Sequence, residues 1–325
     1  PTLIAESGQG DISEGIILSG HMDTVHKDGT ITEMPFRLDD GKVYGPGVLD
    51  MKGGIVMMFF IIETLKQLGW NKPLKVIISG DEEQGHRKTG SGAIITEEAK
   101  GYKYALNLET GLINNNIVTS RKGVMQCVLK TTGRAAHSGA NFEDGINAIE
   151  EMSHKIIQIQ ALNGEYGATT LNTGIIEGGT VANAVPETCE IRIDIRFVDD
   201  SVLPAIEKAL EDIAVNCRVP GTKGDVSVDF IFPAFPEDLN SELLAAAAAV
   251  SSGLGYGIPE GIMVGGGSDA AFIAAAGVPC LCGMGVKGEW NHSSREYADF
   301  NSFTERLSFI INLIFELDNK KLSPA

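Results

Sequence analysis

The chain has 325 residues, 43% hydrophobic and 21% charged, with 39 Gly and 12 Pro; this is the composition of a soluble globular protein with room for two domains. A net charge of −17 argues against nucleic acid or an anionic membrane surface as a partner, because phosphate-rich surfaces need cationic ones. No apolar run approaches the ~20 residues of a membrane span. The five cysteines (Cys127, Cys189, Cys217, Cys280, Cys282) are odd in number and lack framework spacing, so a reducing, cytoplasmic compartment is expected.

In chain order, "GIILSG" (15–20) predicts a buried strand, and 53–69 predicts a helix apolar on most sides. Next come a strand over 74–80, a short helix over 91–100 and a strand over 103–109. The texture then changes. A strand (123–133), an amphipathic helix (145–162), two alternating strands (168–179 and 187–198), a helix (201–217) and a strand (225–232) give the order β-α-β-β-α-β. That order is the split βαβ of ferredoxin-like domains. After Pro233 the first pattern resumes, with helices at 241–254 and 270–277, a strand at 278–285 and a closing helix at 303–317. The reading is an α/β protein with a mixed sheet flanked by helices. Residues 1–118 and 233–325 form its main domain, and 119–232 form an inserted α+β domain.

Polar residues gather where the outer strands end, the edge at which open α/β sheets place ligands. His21 and Asp23 follow the first strand, and Asp50 sits in a Gly- and Pro-punctuated loop before a helix. Asp81, Glu82 and Glu83 end the next strand, Glu109 ends the one after, and His292 lies in the loop after the last. Singly, each has a plain explanation. Asp50 would cap its helix, a lone His would be a loop residue, and an acidic triplet would be a wet turn. Together, two imidazoles and three carboxylates make an N/O ligand set suited to zinc. "VGGGSDAAF" (264–272) lacks the Lys of a phosphate-binding loop, and Asp269 reads as a helix cap. His26, His86 and His154 match no motif and read as ordinary surface residues.

The stretches "SGHMDTV", "YGPGVLDMKGG", "GDEEQG", "GRAAHSG", "GGTVANAVPE", "IDIRF" and "GGGSDAAF" resemble those of the di-zinc aminoacylase and carboxypeptidase family, nearest its glutamate carboxypeptidase branch through "PFRLDDGKVYGPG". The resemblance runs nearly the whole chain. It implies a zinc-peptidase-like catalytic domain with an inserted ferredoxin-like lid and dimerisation domain. It also implies two Zn2+, with Co2+ or Mn2+ as alternatives. His21, Asp50 and Glu109 would hold one metal, and Asp50, Glu83 and His292 the other, with Asp50 shared. Asp23 would orient His21, and Glu82 would be the general base acting on a metal-bridging water. His137 would reach a partner chain's site in a homodimer to stabilise the oxyanion. Arg196 and Asn183 would clamp a substrate α-carboxylate, and Gly266 and Gly267 would let backbone approach the substrate. The competing reading for Arg196 is a salt bridge to Asp194 or Asp199.

The implied activity is hydrolysis of an amide beside a free α-carboxylate, in a small peptide or N-acyl-amino acid, with C-terminal glutamate as one candidate. Two alternatives stay open, a non-catalytic dimeric scaffold descended from the family and a di-metal phosphoesterase. Only about fifteen residues precede the "GHMDTV" strand, so an N-terminal segment of the family's catalytic domain is expected to be missing.

Overall fold

A computed structural model describes residues 1–318. From the N terminus the elements are β1 (Leu3–Ser7), β2 (Ile16–His21), the single turn α1 (Thr30–Glu33), the hairpin β3 (Arg37–Asp39) and β4 (Lys42–Tyr44), and α2 (Gly53–Gln67). Then follow β5 (Leu74–Ser79), α3 (Ser91–Ala99), β6 (Tyr104–Asn107), β7 (Ile117–Arg121), β8 (Gly123–Thr132), β9 (Ala136–His137) and α4 (Ala148–Ala161). Next are β10 (Thr170–Gly178), β11 (Ala184–Val185), β12 (Thr188–Phe197), α5 (Leu203–Val215), β13 (Lys223–Phe232) and α6 (Ser241–Gly253). The chain closes with β14 (Gly261–Val264), α7 (Asp269–Ala275), β15 (Cys280–Leu281), β16 (Gly288–Glu289), β17 (Tyr297–Asp299) and α8 (Phe300–Asp318). Two compact units result, one of Pro1–Arg121 with the chain from Phe235 onward, the other of Lys122–Ala234.

The first unit is built on a sheet in the order β1-β5-β2-β6-β15. Strands β5, β2, β6 and β15 are parallel and β1 is antiparallel at the edge, so the sheet is mixed. Its central strands are buried on both faces, which is why they read as continuous apolar runs. Alternate residues divide between two cores. Ile16, Leu18, Ile78 and Leu106 pack with Met57, Ile61 of α2 and Ile310, Leu313 of α8. Ile17, Ile77 and Ala105 pack with Ile95 of α3 and Ala270, Ile273 of α7. The strand expected over 278–285 contracts to Cys280–Leu281, because beyond it the chain bends away to run beside Leu108 and Glu109. A second sheet, β16-β17-β4-β3, and a parallel pair, β14-β7, complete the unit.

The second unit has a fully antiparallel sheet in the order β10-β12-β8-β13. Alternation places Ile191, Ile193 and Ile195 of β12 against Met152, Ile159 of α4 and Ile206, Leu210 of α5. Asn147 caps α4 by accepting from Glu150 N at 3.0 Å. A fully buried ion pair ties α4 to the end of α5: Lys155 Nζ lies 3.0 Å from Glu151 Oε1 and donates to the carbonyls of Ile213 and Ala214. Among the described residues no helix is long and apolar enough to cross a membrane.

Candidate functional site

Strand order determines which side chains can meet. Strand β2 lies between β5 and β6, and all three end at one edge of the sheet. His21, the last residue of β2, therefore has the turn after β5 on one side and Glu109, just beyond β6, on the other. Its Nε2 is 3.5 Å from Glu109 Oε1 and 3.2 Å from Asp50 Oδ1. Its Nδ1 is 3.1 Å from the Asp23 carbonyl oxygen and 3.4 Å from Asp23 Oδ1.

Asp50 comes from the turn ahead of α2, where its carboxylate lies between two imidazoles. Its second oxygen, Oδ2, is 3.0 Å from His292 Nε2 and accepts from Asn291 Nδ2 at 3.0 Å. His292 adopts the left-handed backbone region (φ 62°), as does Trp290 (φ 69°). That conformation costs a non-glycine residue free energy and often marks a functional loop. Glu83 Oε1 is 3.2 Å from His292 Nε2 yet makes no well-directed hydrogen bond, which leaves a buried acceptor suited to a cation. His21, Asp50 and Glu83 each offer one ligand atom within 4.8 Å of the others, a group able to hold a metal ion.

The electrostatics agree with a site for positive charge. Burial would lower the pKa of His21, but hydrogen bonds to Asp23, Asp50 and Glu109 outweigh it and raise it well above the ordinary value. His292 is raised to about 10 by Asp50 and then Glu83. Burial pushes Asp50 upward, and its bonds to both imidazoles and Asn291 reverse this, holding it well below the usual carboxylate range. Glu82 is opposite in behaviour. Burial, with repulsion from Glu109, Asp269 and Glu83, raises it well above its ordinary value against the attraction of His21.

The acidic triplet divides its labour. Asp81 turns away, accepting from Lys88 N, Thr89 N, Thr89 Oγ1 and Ser91 Oγ. The backbone N–H groups of Glu82 and Glu83 both donate to the carboxylate of Asp23, at 3.1 Å each. Asp23 thus fixes the turn that presents both glutamates as well as approaching His21.

Three expectations are corrected. His86 is not a surface residue; it is buried (6% exposed) and bridges Asp81 Oδ1 and Asp269 Oδ1, because the turn after Gly85 folds it back against α7. Asp269 is not the cap of α7. Ser268 caps it by accepting from Ala270 N, which frees Asp269 to accept from Ser79 Oγ at 2.6 Å beside His86. His26 is half-buried, with Nε2 2.9 Å from Glu296 Oε2. His154 lies partly exposed on α4.

The glycine loop is held by a residue that sequence reasoning passed over. Arg121 Nη1 donates to the carbonyls of Gly266 and Gly267, both at 3.1 Å, and Nη2 reaches Cys282 Sγ at 3.2 Å. In the second unit, the pairing of β9 with β11 sets His137 opposite Ala184, and Ser138 N donates to the Asn183 carbonyl. His137 Nδ1 accepts from Gly139 N and Ala140 N, so its Nε2 is turned outward on an exposed loop. Arg196 lies at the other end of the sheet. The rise along β12 from Thr188 to Arg196 is about 26 Å, and the β9–β11 pair continues past the Thr188 end through Gly133 N to Glu187 O. Arg196 makes a two-point pair with Asp194, Nε to Oδ1 at 2.7 Å and Nη2 to Oδ2 at 3.0 Å.

A mixed α/β sheet with His, Asp and Glu side chains converging at its carboxyl edge is the framework of a metal-dependent hydrolase. Residues 17–316 match the description of peptidase family M20/M25/M40, and the chain belongs to that family. Carboxypeptidase G2 of Pseudomonas sp. (strain RS-16) is 31% identical over 311 residues, covering 94% of this chain and 74% of that protein. Acetylornithine deacetylase of Erwinia tasmaniensis is 32% identical over 242 residues, 67% of this chain and 60% of its own length. Among solved structures, aminopeptidase PepT from Bacillus cereus ATCC 10987 superposes with a TM-score of 0.75 at 25% identity, covering 97% of this chain and 84% of that one.

Proposed function

We propose that the protein is a di-metal amide hydrolase that cleaves beside a free α-carboxylate, as a carboxypeptidase or N-acyl-amino-acid deacylase. The observation that supports this most is the position of Asp50, whose two oxygens face two different imidazoles at 3.2 and 3.0 Å, with Glu109 beside one and Glu83 beside the other. His21, Asp50 and Glu109 would hold one divalent cation, and Asp50, Glu83 and His292 a second. The N/O donors suit Zn2+ and also accept Co2+ or Mn2+. Bound there, the pair of cations would polarise the scissile carbonyl and acidify water.

The chain's own groups do the rest. Glu82, as its ionised carboxylate, takes the proton of the attacking water and, now protonated, passes it to the leaving amine. Arg196 and Asn183 hold the substrate α-carboxylate, which competes with Asp194 for the guanidinium. His137 supports the developing oxyanion. Because His137 and Asn183 lie together beyond the opposite end of the sheet from Arg196, a single chain cannot bring all three to one substrate, and a homodimer in which each chain lends His137 and Asn183 to the other meets the requirement.

The test is kcat/KM for zinc-loaded protein on N-acyl derivatives of glutamate, aspartate, alanine, leucine and arginine, alongside Glu82→Gln. The expected result is a preference for glutamate and a loss of about 10²–10⁴-fold in the variant. Undiminished turnover by Glu82→Gln, or hydrolysis of phosphate esters without amide cleavage, overturns the proposal.

A further inference from the structure

Glu296 is fully buried in the loop between β16 and β17, the same loop that carries His292. Each of its oxygens is shared by two groups. Oε1 accepts from Leu49 N at 2.9 Å and Asp50 N at 3.1 Å, and Oε2 accepts from Gly47 N at 3.1 Å and lies 2.9 Å from His26 Nε2. The three N–H groups belong to the turn that presents Asp50. His26 belongs to the loop that starts at His21, and its own N–H donates to Thr24 Oγ1. One carboxylate therefore ties together three loops, which bear His21, Asp50 and His292.

We infer that Glu296, with His26 as its side-chain partner, is the positioning residue that sets Asp50 between the two imidazoles. The inference rests on the reading of Asp50 as the ligand shared by two cations. The geometry gives Glu296 this role for a specific reason. Charge-assisted hydrogen bonds to consecutive N–H groups fix the direction of a peptide as well as its position. With Gly47, Leu49 and Asp50 all aimed at Glu296, the Asp50 side chain leaves the turn in one direction only. A glutamine cannot replace it, since its amide nitrogen would face N–H donors. An aspartate, one methylene shorter, could accept from one side of the turn only.

Because Asp50 is shared, misplacing it must weaken both metal positions together. Replacing a side chain proposed to serve one position, such as Glu83→Gln, should weaken one and spare the other. That difference separates positioning from a general loss of stability.

The experiment titrates Zn2+ into metal-free wild type, Glu296→Gln, His26→Gln and Glu83→Gln against a chromophoric chelator, and records Tm with and without Zn2+. Groups that orient metal ligands typically contribute about 10–100-fold to affinity. The expected result is a loss in that range at both sites for Glu296→Gln, a smaller loss at both for His26→Gln, and a loss at one site for Glu83→Gln. The rise in Tm on adding Zn2+ should shrink in the first two variants, which a purely structural role would leave unchanged. Wild-type Zn2+ affinity at either site in folded Glu296→Gln overturns the inference. If Glu296→Gln does not fold, His26→Gln decides, and unchanged affinity at both of its sites overturns it. A wild type that binds a single Zn2+ overturns the two-cation reading instead; Glu296 then stands or falls on whether its variant weakens that remaining site.

Discussion

Replacing Arg121 with Met should loosen the glycine loop and raise KM more than it lowers kcat. The guanidinium makes three contacts, two to carbonyls at 3.1 Å and one to a thiol at 3.2 Å. Hydrogen bonds from a charged donor contribute about 1.5–3 kcal/mol each when removed in isolation. Two facts bring the total down. Gly266 is exposed and Gly267 partly so, which lets their carbonyls rehydrate, and the cost of burying the guanidinium is recovered. The net loss should be about 1–3 kcal/mol, below the ~3–5 expected when an ion pair closed from water is broken. Ordering a freed backbone residue costs about 1–2 kcal/mol, so if binding must re-order even one residue of the loop, KM rises about tenfold at 1.4 kcal/mol per decade. Lysine at this position places a point charge that cannot span both carbonyls, and should recover only part of the loss. Urea unfolding followed by far-UV circular dichroism and steady-state kinetics would check both numbers. Stability within ~0.5 kcal/mol of wild type together with an unchanged KM would refute the reasoning.

Two other perturbations probe groups away from the reacting centre. Burial alone would lower the pKa of His86, but Asp269 and Asp81 outweigh it, so the folded value is raised. A raised value stabilises fully below the unfolded value of about 6.5 and loses that contribution as pH climbs through the folded one. The stability gap between wild type and His86→Gln should therefore be widest near pH 6 or below and narrow on the alkaline side; a gap that widens with pH would show the sign to be wrong. In the inserted unit, Lys155→Met leaves Glu151 buried without its cation and should cost about 3–5 kcal/mol; adding Glu151→Leu removes that charge but strands the N–H groups of Arg218 and Val219, so it should recover only part of the loss. Denaturant titration of the single and double variants decides, and a double variant as unstable as the single would contradict it.

The sheet strands and long helices were legible because buried parallel strands and amphipathic helices write their periods into the sequence. The edges of the architecture were not. Strands β3, β4, β16 and β17 are two or three residues long and run from fully exposed to mostly buried, too short to establish a period. Likewise, the ends of β2, β5 and β6 could be read as a rim of His, Asp and Glu because each residue follows a recognisable strand. Glu296 could not, since the turn it holds lies 246 residues away from it. His86 and Asp269 escaped for the same reason: their partners are joined by folding across 183 residues, and each alone has a commoner surface or capping role. A weak clue existed for His86, which directly follows the acidic turn, and for Glu296, which lies in the His292 loop.

The split of the first unit across the chain has a consequence for how the protein comes into being. His21, Asp50, Glu83 and Glu109 are all synthesised before Lys122–Ala234, and His292 and Glu296 after it. At about 5–20 residues per second, roughly 15–50 s separate the emergence of His21 from that of His292. In that interval the continuous inserted unit can close by itself. The discontinuous one cannot, because Phe309, Ile310, Leu313, Ile314 and Leu317 of α8 belong to its core. The nascent chain thus carries a cluster of acids and one imidazole with nothing to aim them, and the proposed centre stays incomplete until His292 and α8 have been made. The proposed activity thus waits on the second half of the split unit, so the order of synthesis itself holds it back.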